Sequence, residues 1–208
     1  MSGLNHTFSH RRKLTYAARQ AERVLPLPLP GLFFLTDPDR SPDPCAIAER
    51  LPRGTGVVFR HYGACNRLDV ATTLSRIARR RGLIFLIAAD PVLAQKVKAH
   101  GVHWPEAHRI SAKAWRRVFA IQTVSAHSPA ALRAADRLTV DAAFVSTVFA
   151  SNSASAGNAL GPVKLRQLAR SVDLPVYALG GINAQTASRV AMAAGLASID
   201  GVQDSFGR

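Results

Sequence analysis

From Leu32 onward, short apolar runs alternate with longer segments in which apolar residues recur at helical spacing. The runs are hydrophobic throughout rather than at every second position, which is typical of strands in a parallel sheet covered on both faces. They predict eight strands, at residues 32–36, 57–60, 83–88, 101–104, 118–125, 142–148, 176–179 and 197–200. The segments between them predict seven helices, at residues 44–51, 68–81, 92–100, 111–117, 129–138, 162–172 and 184–194.

Helix start signals support this alternation, because Asp43, Ser128 and Asn183 each directly precede a predicted helix. Two architectures fit eight such units, a closed (β/α)8 TIM barrel and an open doubly wound sheet. Eight units within about 175 residues favour closure, since an open sheet rarely reaches eight strands in so short a chain. A Rossmann sheet would also carry a glycine fingerprint after its first strand, where this chain has Thr36-Asp37-Pro38. The pattern therefore predicts one barrel over residues 31–208.

Residues 1–30 form a separate basic extension. Ser9–Val24 is predicted as an amphipathic helix, and prolines 26, 28 and 30 then predict an extended link. The extension is interpreted either as an extra helix that caps a barrel end or as a flexible arm. Its apolar face is mostly alanine, which argues against a membrane-surface helix.

Composition narrows the class of protein. With 48% hydrophobic and 19% charged residues, the chain is typical of a globular domain, and its apolar runs are too short to cross a membrane. Cys45 and Cys65 form no disulfide framework or metal motif. The segment after the basic residues 11–13 lacks the apolar stretch of a signal peptide, so a cytoplasmic protein is expected.

The charge is strongly positive, with 27 Lys and Arg against 13 acidic residues and a formal net charge of +14. The basic residues are spread over predicted helices, and the chain has no helix-turn-helix, RNP aromatics or zinc ligands that would read a nucleic acid. No specific nucleic-acid partner is therefore expected, although a basic binding module that uses residues 11–23 is a rival interpretation. A phosphorylated small molecule would also be attracted by this field.

The catalytic groups of a barrel lie at the carboxyl ends of its strands. Gly180 and Gly181 follow the seventh predicted strand and precede a predicted helix. Backbone amides at these glycines are accessible to a phosphate group because no Cβ blocks them. The loop after strand seven is also the usual phosphate site of such barrels. The alternative is a plain tight turn between strand and helix.

Ser125 is the last residue of the fifth predicted strand, and His127 follows two residues later. Alternate residues of a strand point the same way, so the hydroxyl and the imidazole are both expected over the barrel mouth. Histidine transfers protons near neutral pH. The alternatives are that His127 only caps the loop and that Ser128 caps the next helix.

Five segments, taken in order and spacing, carry a family resemblance: LFFLTD at 32–37, Arg60, Gly101–His103, VSAHS at 124–128 and PVYALGGIN at 175–183. Over residues 31–202 they resemble the thiamine phosphate synthase superfamily, which also contains thiazole tautomerases. The resemblance implies a transferase of thiamine biosynthesis that joins hydroxymethylpyrimidine diphosphate to hydroxyethylthiazole phosphate, with Mg²⁺ as cofactor. Arg60 would then assist the leaving diphosphate.

The segments that would hold Mg²⁺ and diphosphate depart from the family pattern. Where an Asn-Asp pair is expected after strand three, the chain has Ala89-Asp90, so Asp90 is the metal ligand that the resemblance still implies there. The family's Thr-x-Thr-Lys loop after strand six appears as Ser151-Asn152-Ser153-Ala154. Ser151 and Ser153 are thus phosphate-binding candidates, but the lysine is missing.

These departures leave three possibilities within the superfamily, of which the synthase is the predicted function. The synthase needs Mg²⁺ and cations at the diphosphate. The tautomerase branch needs no cofactor, and the resemblance of this chain to that branch implies that His127 transfers the proton. An inactive relative that only binds phosphate is the third. The expected partner is a phosphorylated small molecule, and a homodimer is left open.

Overall fold

The computed structural model describes residues 2–26, 28–151 and 157–207. Eight parallel strands follow one another around a closed barrel, and the last pairs with the first. The strands are β1 (Leu32–Leu35), β2 (Gly56–Phe59), β3 (Ile84–Ala88), β4 (Gly101–Trp104), β5 (Ile121–Ala126), β6 (Ala142–Val145), β7 (Val176–Ala178) and β8 (Gly195–Ser198). The (β/α)8 barrel predicted from the apolar runs is confirmed.

The helices lie outside this barrel: α1 (Ser2–Glu22), α2 (Pro44–Ala48), α3 (Arg67–Arg81), α4 (Pro91–Lys96), α5 (Ala112–Trp115), α6 (Pro129–Asp136), α7 (Gly161–Ala169) and α8 (Asp200–Phe206). Two 3₁₀ turns cover Glu106–Ser111 and Ala187–Arg189. Side-chain caps begin three helices, because Asp43, Asp90 and Ser128 accept backbone N–H bonds at 2.9, 2.9 and 3.1 Å. A proline in the first turn follows each cap.

The helix predicted at 184–194 is wrong, because only the 3₁₀ turn Ala187–Arg189 forms there. The side-chain oxygen of Asn183 accepts the amides of Gln185 and Thr186, which makes a local turn instead of a helix cap. The last predicted strand starts two residues earlier, at Gly195, and α8 begins at Asp200, which had been assigned to that strand.

Side chains of alternate strand residues fill the barrel interior. Three aromatic rings meet there, with centroids of Phe33, Phe144 and Tyr177 about 5 Å apart. The Tyr177 hydroxyl donates to the carbonyl oxygen of Pro30 at 2.6 Å, and Leu29 packs into the same cluster. The link after α1 therefore closes the amino-terminal end of the barrel.

Helix α1 begins at Ser2, earlier than predicted, and packs against α8, β8 and the turn at Ala187–Arg189. Leu14, Ala17 and Ala21 are buried in this contact, since alanine lets the helix approach closely. The small apolar face is thus used within the protein. In the part of the chain that the structure describes, no helix is long and apolar enough to cross a membrane.

Candidate active site

A cavity of about 420 Å³ opens where the barrel strands end, a volume typical of small-molecule sites. Its wall holds six of the eight residues singled out from the sequence, which are Arg60, Ser125, His127, Ser151, Gly180 and Gly181. Ser153 lies outside the described residues. Asp90 is not in the cavity wall. The structure therefore brings most of the candidate residues to one site.

Gly180 and Gly181 both have left-handed backbones, with φ of 93° and 64°. A Cβ on Gly180 would lie 2.7 Å from Cγ2 of Thr147, and one on Gly181 would overlap the carbonyl oxygen of Ala150. The loop after β6 is held close by the Phe149 amide, which donates to the Gly180 carbonyl at 3.0 Å. These glycines are thus required by the neighbouring loop as well as by the turn.

The two glycine amides are available to a ligand. Among the described residues, neither the Gly180 nor the Gly181 N–H donates a hydrogen bond, and both residues line the cavity. The expected helix at Asn183 does not form, so no helix dipole acts there. The first residues of α8 lie in the cavity wall instead, at Asp200 and Gly201.

His127 reaches the cavity from the end of β5. Its Nδ1 lies 2.9 Å from the Ser146 hydroxyl, and its backbone N–H donates to Oε2 of Glu106 at 2.8 Å. The neighbouring Ser128 caps α6, which confirms the capping alternative for Ser128. These contacts fix the ring at the cavity wall.

Ser125 has a different partner, His103, which the sequence analysis includes in the motif Gly101–His103 without giving it a role. Nε2 of His103 lies 2.9 Å from the Ser125 hydroxyl, and Nδ1 lies 2.8 Å from the Thr123 hydroxyl. The His103 ring also packs on Phe144, with centroids 4.8 Å apart. Burial lowers the pKa of His103 to about 3, and the nearby charges of Arg60 and His127 add to this. A neutral His103 inside the barrel thus positions Ser125.

This buried histidine makes stability depend on pH. Between its folded pKa of about 3 and the ordinary value of 6.5, only the unfolded chain binds the proton. The contribution of this group to the free energy of unfolding is therefore greatest above pH 6.5. It decreases as the pH is lowered towards 3, by about 1.4 kcal/mol per pH unit. We expect His103→Gln to flatten the slope by about that amount, measured by urea unfolding between roughly pH 4.5 and 6.

Burial also lowers the pKa values of His61 and His100, so part of the slope should persist in the variant. A slope equal to that of the parent chain would contradict a neutral His103. His108→Gln, at an exposed histidine outside the cavity wall, is the matched control for loss of an imidazole.

Two arginines and Asp37 form a charged cluster beside the cavity. Arg60 donates through Nε to the Thr36 carbonyl at 3.1 Å and approaches Oδ2 of Asp37 at 3.4 Å. Arg40 donates to the same oxygen at 2.9 Å. Burial would raise the pKa of Asp37, but the hydrogen bonds and charge of Arg40 and the charge of Arg60 outweigh it and lower that pKa. Sequence reasoning missed Arg40, because no motif marks its position in the loop after β1.

The carboxylates do not form a magnesium site. Asp90 caps α4 and pairs with Arg67, and Glu106 accepts the His127 amide. Within residues 2–26, 28–151 and 157–207, no three His, Cys, Asp or Glu side chains are grouped to hold a metal ion. Mg²⁺ is usually held by one or two carboxylates together with waters and substrate phosphates. Asp90, the ligand that the resemblance implies, lies outside the cavity wall and has both side-chain oxygens engaged by protein donors, so the described residues present no prearranged Mg²⁺ site.

Comparison with known proteins identifies relatives. A family model described as thiamine monophosphate synthase matches residues 32–203. The thiamine-phosphate synthase of Geobacillus thermodenitrificans is 32% identical over 174 residues, which cover 77% of each chain. The thiamine biosynthesis bifunctional protein ThiED of Geobacter sulfurreducens is 28% identical over 166 residues, which cover 77% of this chain but only 34% of that protein.

A solved structure supports the same fold. Thiamine phosphate pyrophosphorylase from Pyrococcus furiosus superposes with a TM-score of 0.71 and 22% identity, covering 85% of this chain and 90% of that one. The family match covers most of the chain and includes each strand of the barrel. The resemblance carried by the strand-end motifs is thereby confirmed, and the chain belongs to the thiamine monophosphate synthase family.

Proposed function

We propose that this chain acts in thiamine biosynthesis as an enzyme on a thiazole phosphate, and that its reaction is tautomerisation of the thiazole ring. The observation that carries this proposal is one cavity that holds both the imidazole of His127 and the amides of Gly180 and Gly181, which donate no hydrogen bond within the described part of the chain. The first feature binds a phosphate group, and the second moves a proton.

The phosphate end of the substrate would lie on the glycine turn. Two adjacent amides without Cβ atoms give an anion close access to backbone donors. The Arg60 and Arg40 guanidiniums line the same cavity and contribute positive charge. Ser151 lies in the wall beside them, and with Ser153 it is retained as a candidate phosphate contact.

The thiazole ring would then face His127. Because Nδ1 lies against Ser146, Nε2 is the ring nitrogen that is left to approach the ligand. A serine hydroxyl both donates and accepts, so Ser146 supports the imidazole before and after it takes a proton. Tautomerisation removes a proton from one ring position and returns one to another, with no leaving group and no net change in charge. Ser125 would hydrogen-bond the ring or its substituent.

The synthase reaction is the second candidate, and the names of the relatives favour it. That reaction releases diphosphate, whose developing charge must be stabilised. The described cations nearest the cavity, Arg40 and Arg60, both share Asp37. Because Asp90 is engaged by Leu93 and Arg67 and the described residues present no prearranged Mg²⁺ site, the site is suited to one phosphate and to proton transfer.

Two assays on the full chain separate these reactions. In one, the non-aromatic tautomer of thiazole phosphate is supplied, and formation of the aromatic ring is followed by ultraviolet absorbance. In the other, hydroxymethylpyrimidine diphosphate and hydroxyethylthiazole phosphate are mixed with and without Mg²⁺, and thiamine phosphate is measured. Ring conversion without condensation is the expected result. Condensation would establish the synthase, and tight binding without either product would establish an inactive phosphate-binding relative.

A further inference from the structure

We propose that Arg40 is a phosphate-binding residue, which exchanges its contact with Asp200 for the phosphate group of the substrate. This inference rests on the proposed phosphate site at Gly180 and Gly181. Arg40 comes from the loop after β1, and Asp200 begins α8, so the pair spans the seam where the first and last strands meet. Both residues line the same cavity wall as the glycine turn.

One side of the Arg40 guanidinium is fixed. Its NH2 donates to Oδ2 of Asp37 at 2.9 Å, and its backbone N–H donates to Oδ1 of the same carboxylate at 3.2 Å. Asp37 is itself held, because its amide donates to the Ser41 hydroxyl at 2.8 Å. This arrangement orients Arg40 without using its other edge.

The other edge is only loosely engaged. NH1 lies 3.3 and 3.5 Å from the two oxygens of Asp200, which is long for a charge-assisted hydrogen bond. The Asp200 side chain is 46% exposed, whereas that of Asp37 is 18% exposed. A partly exposed pair at this distance contributes little, so a phosphate dianion with several acceptor oxygens competes well for NH1.

The charges around the cavity explain why an arginine is needed there. Asp200 and Asp204 are both in the cavity wall, and their carboxylates repel an approaching phosphate. Arg60 lies across the cluster and already approaches Asp37. Arg40 contacts Asp200, so its positive charge stays beside this carboxylate and offsets part of the repulsion when NH1 turns to the anion.

The test compares three variants by calorimetric titration with hydroxyethylthiazole phosphate, its unphosphorylated alcohol, and inorganic phosphate. Arg40→Ala removes the proposed contact. Asp200→Asn removes only the acidic partner. Arg133→Ala, at an exposed position of α6 outside the cavity wall, is the matched control for loss of one positive charge. The melting temperature of each variant checks that it is folded.

We expect Arg40→Ala to weaken binding of the thiazole phosphate by about 10- to 100-fold, the usual effect of losing a charged hydrogen bond. Binding of the alcohol should change by less than about two-fold, since it has no phosphate. Asp200→Asn should leave the affinity for the thiazole phosphate equal or higher. Arg133→Ala should change it by less than about two-fold, because a distant surface charge is screened.

Equal losses of affinity in Arg40→Ala and Asp200→Asn would overturn the proposal, because the pair would then only link the loop after β1 to α8. Equal losses in Arg40→Ala and Arg133→Ala would also overturn it, in favour of a general field effect. If the parent chain binds inorganic phosphate through Arg40 but does not bind thiazole phosphate, the proposed substrate is wrong and the assignment of Arg40 stands. If neither phosphate binds, both proposals fail.

Discussion

Replacing His127 with asparagine is expected to lower the rate of thiazole tautomer conversion by about 10²- to 10⁴-fold, the contribution typical of a positioned acid or base. Asparagine has a similar reach and retains polar atoms, but it does not exchange protons near neutral pH. Binding of the thiazole phosphate should change by only a few fold, since the phosphate lies on the glycine turn. The measurements are steady-state rates and calorimetric affinities for the same ligand.

The control for this variant is His108→Asn, which changes an exposed histidine outside the cavity wall and should leave the rate unaltered. A variant of the hydrogen-bond partner, Ser146→Ala, should lower the rate by a smaller factor, because the imidazole stays but its orientation is less fixed. If His127→Asn retains the parent rate, proton transfer by His127 is excluded. If it loses affinity and rate in the same proportion, His127 is a binding residue.

The barrel could be predicted from the sequence because most strand residues are apolar and the strands are buried on both faces. Local chemistry also predicted the caps at Asp43 and Ser128, where a short polar side chain is followed by proline. These features depend on residues adjacent in the chain. They are therefore visible in the sequence alone.

The segment 184–194 shows where that reasoning fails. Its apolar spacing suits a helix, but Asn183 uses its side chain to form a turn, and α1 packs against the 3₁₀ turn that forms in place of the helix. The packing partner is more than 150 residues away in the chain. No local pattern contains that information.

The same limit applies to the site. Ser125, His127, Gly180 and Gly181 were found because strand ends meet at one mouth of a barrel. The roles of His103 and Arg40 depend on contacts between different elements, those of His103 on β4 with Thr123 on β5 and of Arg40 after β1 with Asp200 on α8. A polar residue inside an apolar strand was a signal for His103, whereas a surface-loop arginine in a chain with many arginines gave none for Arg40.

The second large effect is expected for Gly181→Ala, which should destabilise the chain by about 2–4 kcal/mol and weaken thiazole phosphate binding by more than about 30-fold. A left-handed backbone costs an alanine roughly 1–2 kcal/mol. The added Cβ would also overlap the Ala150 carbonyl, which belongs to the backbone and moves only with the loop after β6. That loop carries Ser151 in the cavity wall, so its displacement disturbs the site.

Gly54→Ala separates the two causes of this effect. Gly54 has φ of 84°, comparable to 64° at Gly181, but a Cβ there would meet nothing within 4 Å, and the residue is outside the cavity wall. The control should therefore lose only about 1–2 kcal/mol, in urea unfolding, with unchanged affinity for thiazole phosphate. If both variants are equally destabilised and both bind normally, Gly181 serves only the turn. If only Gly181→Ala loses affinity for thiazole phosphate, the phosphate-binding amides depend on the close packing of the loop after β6 against Gly181.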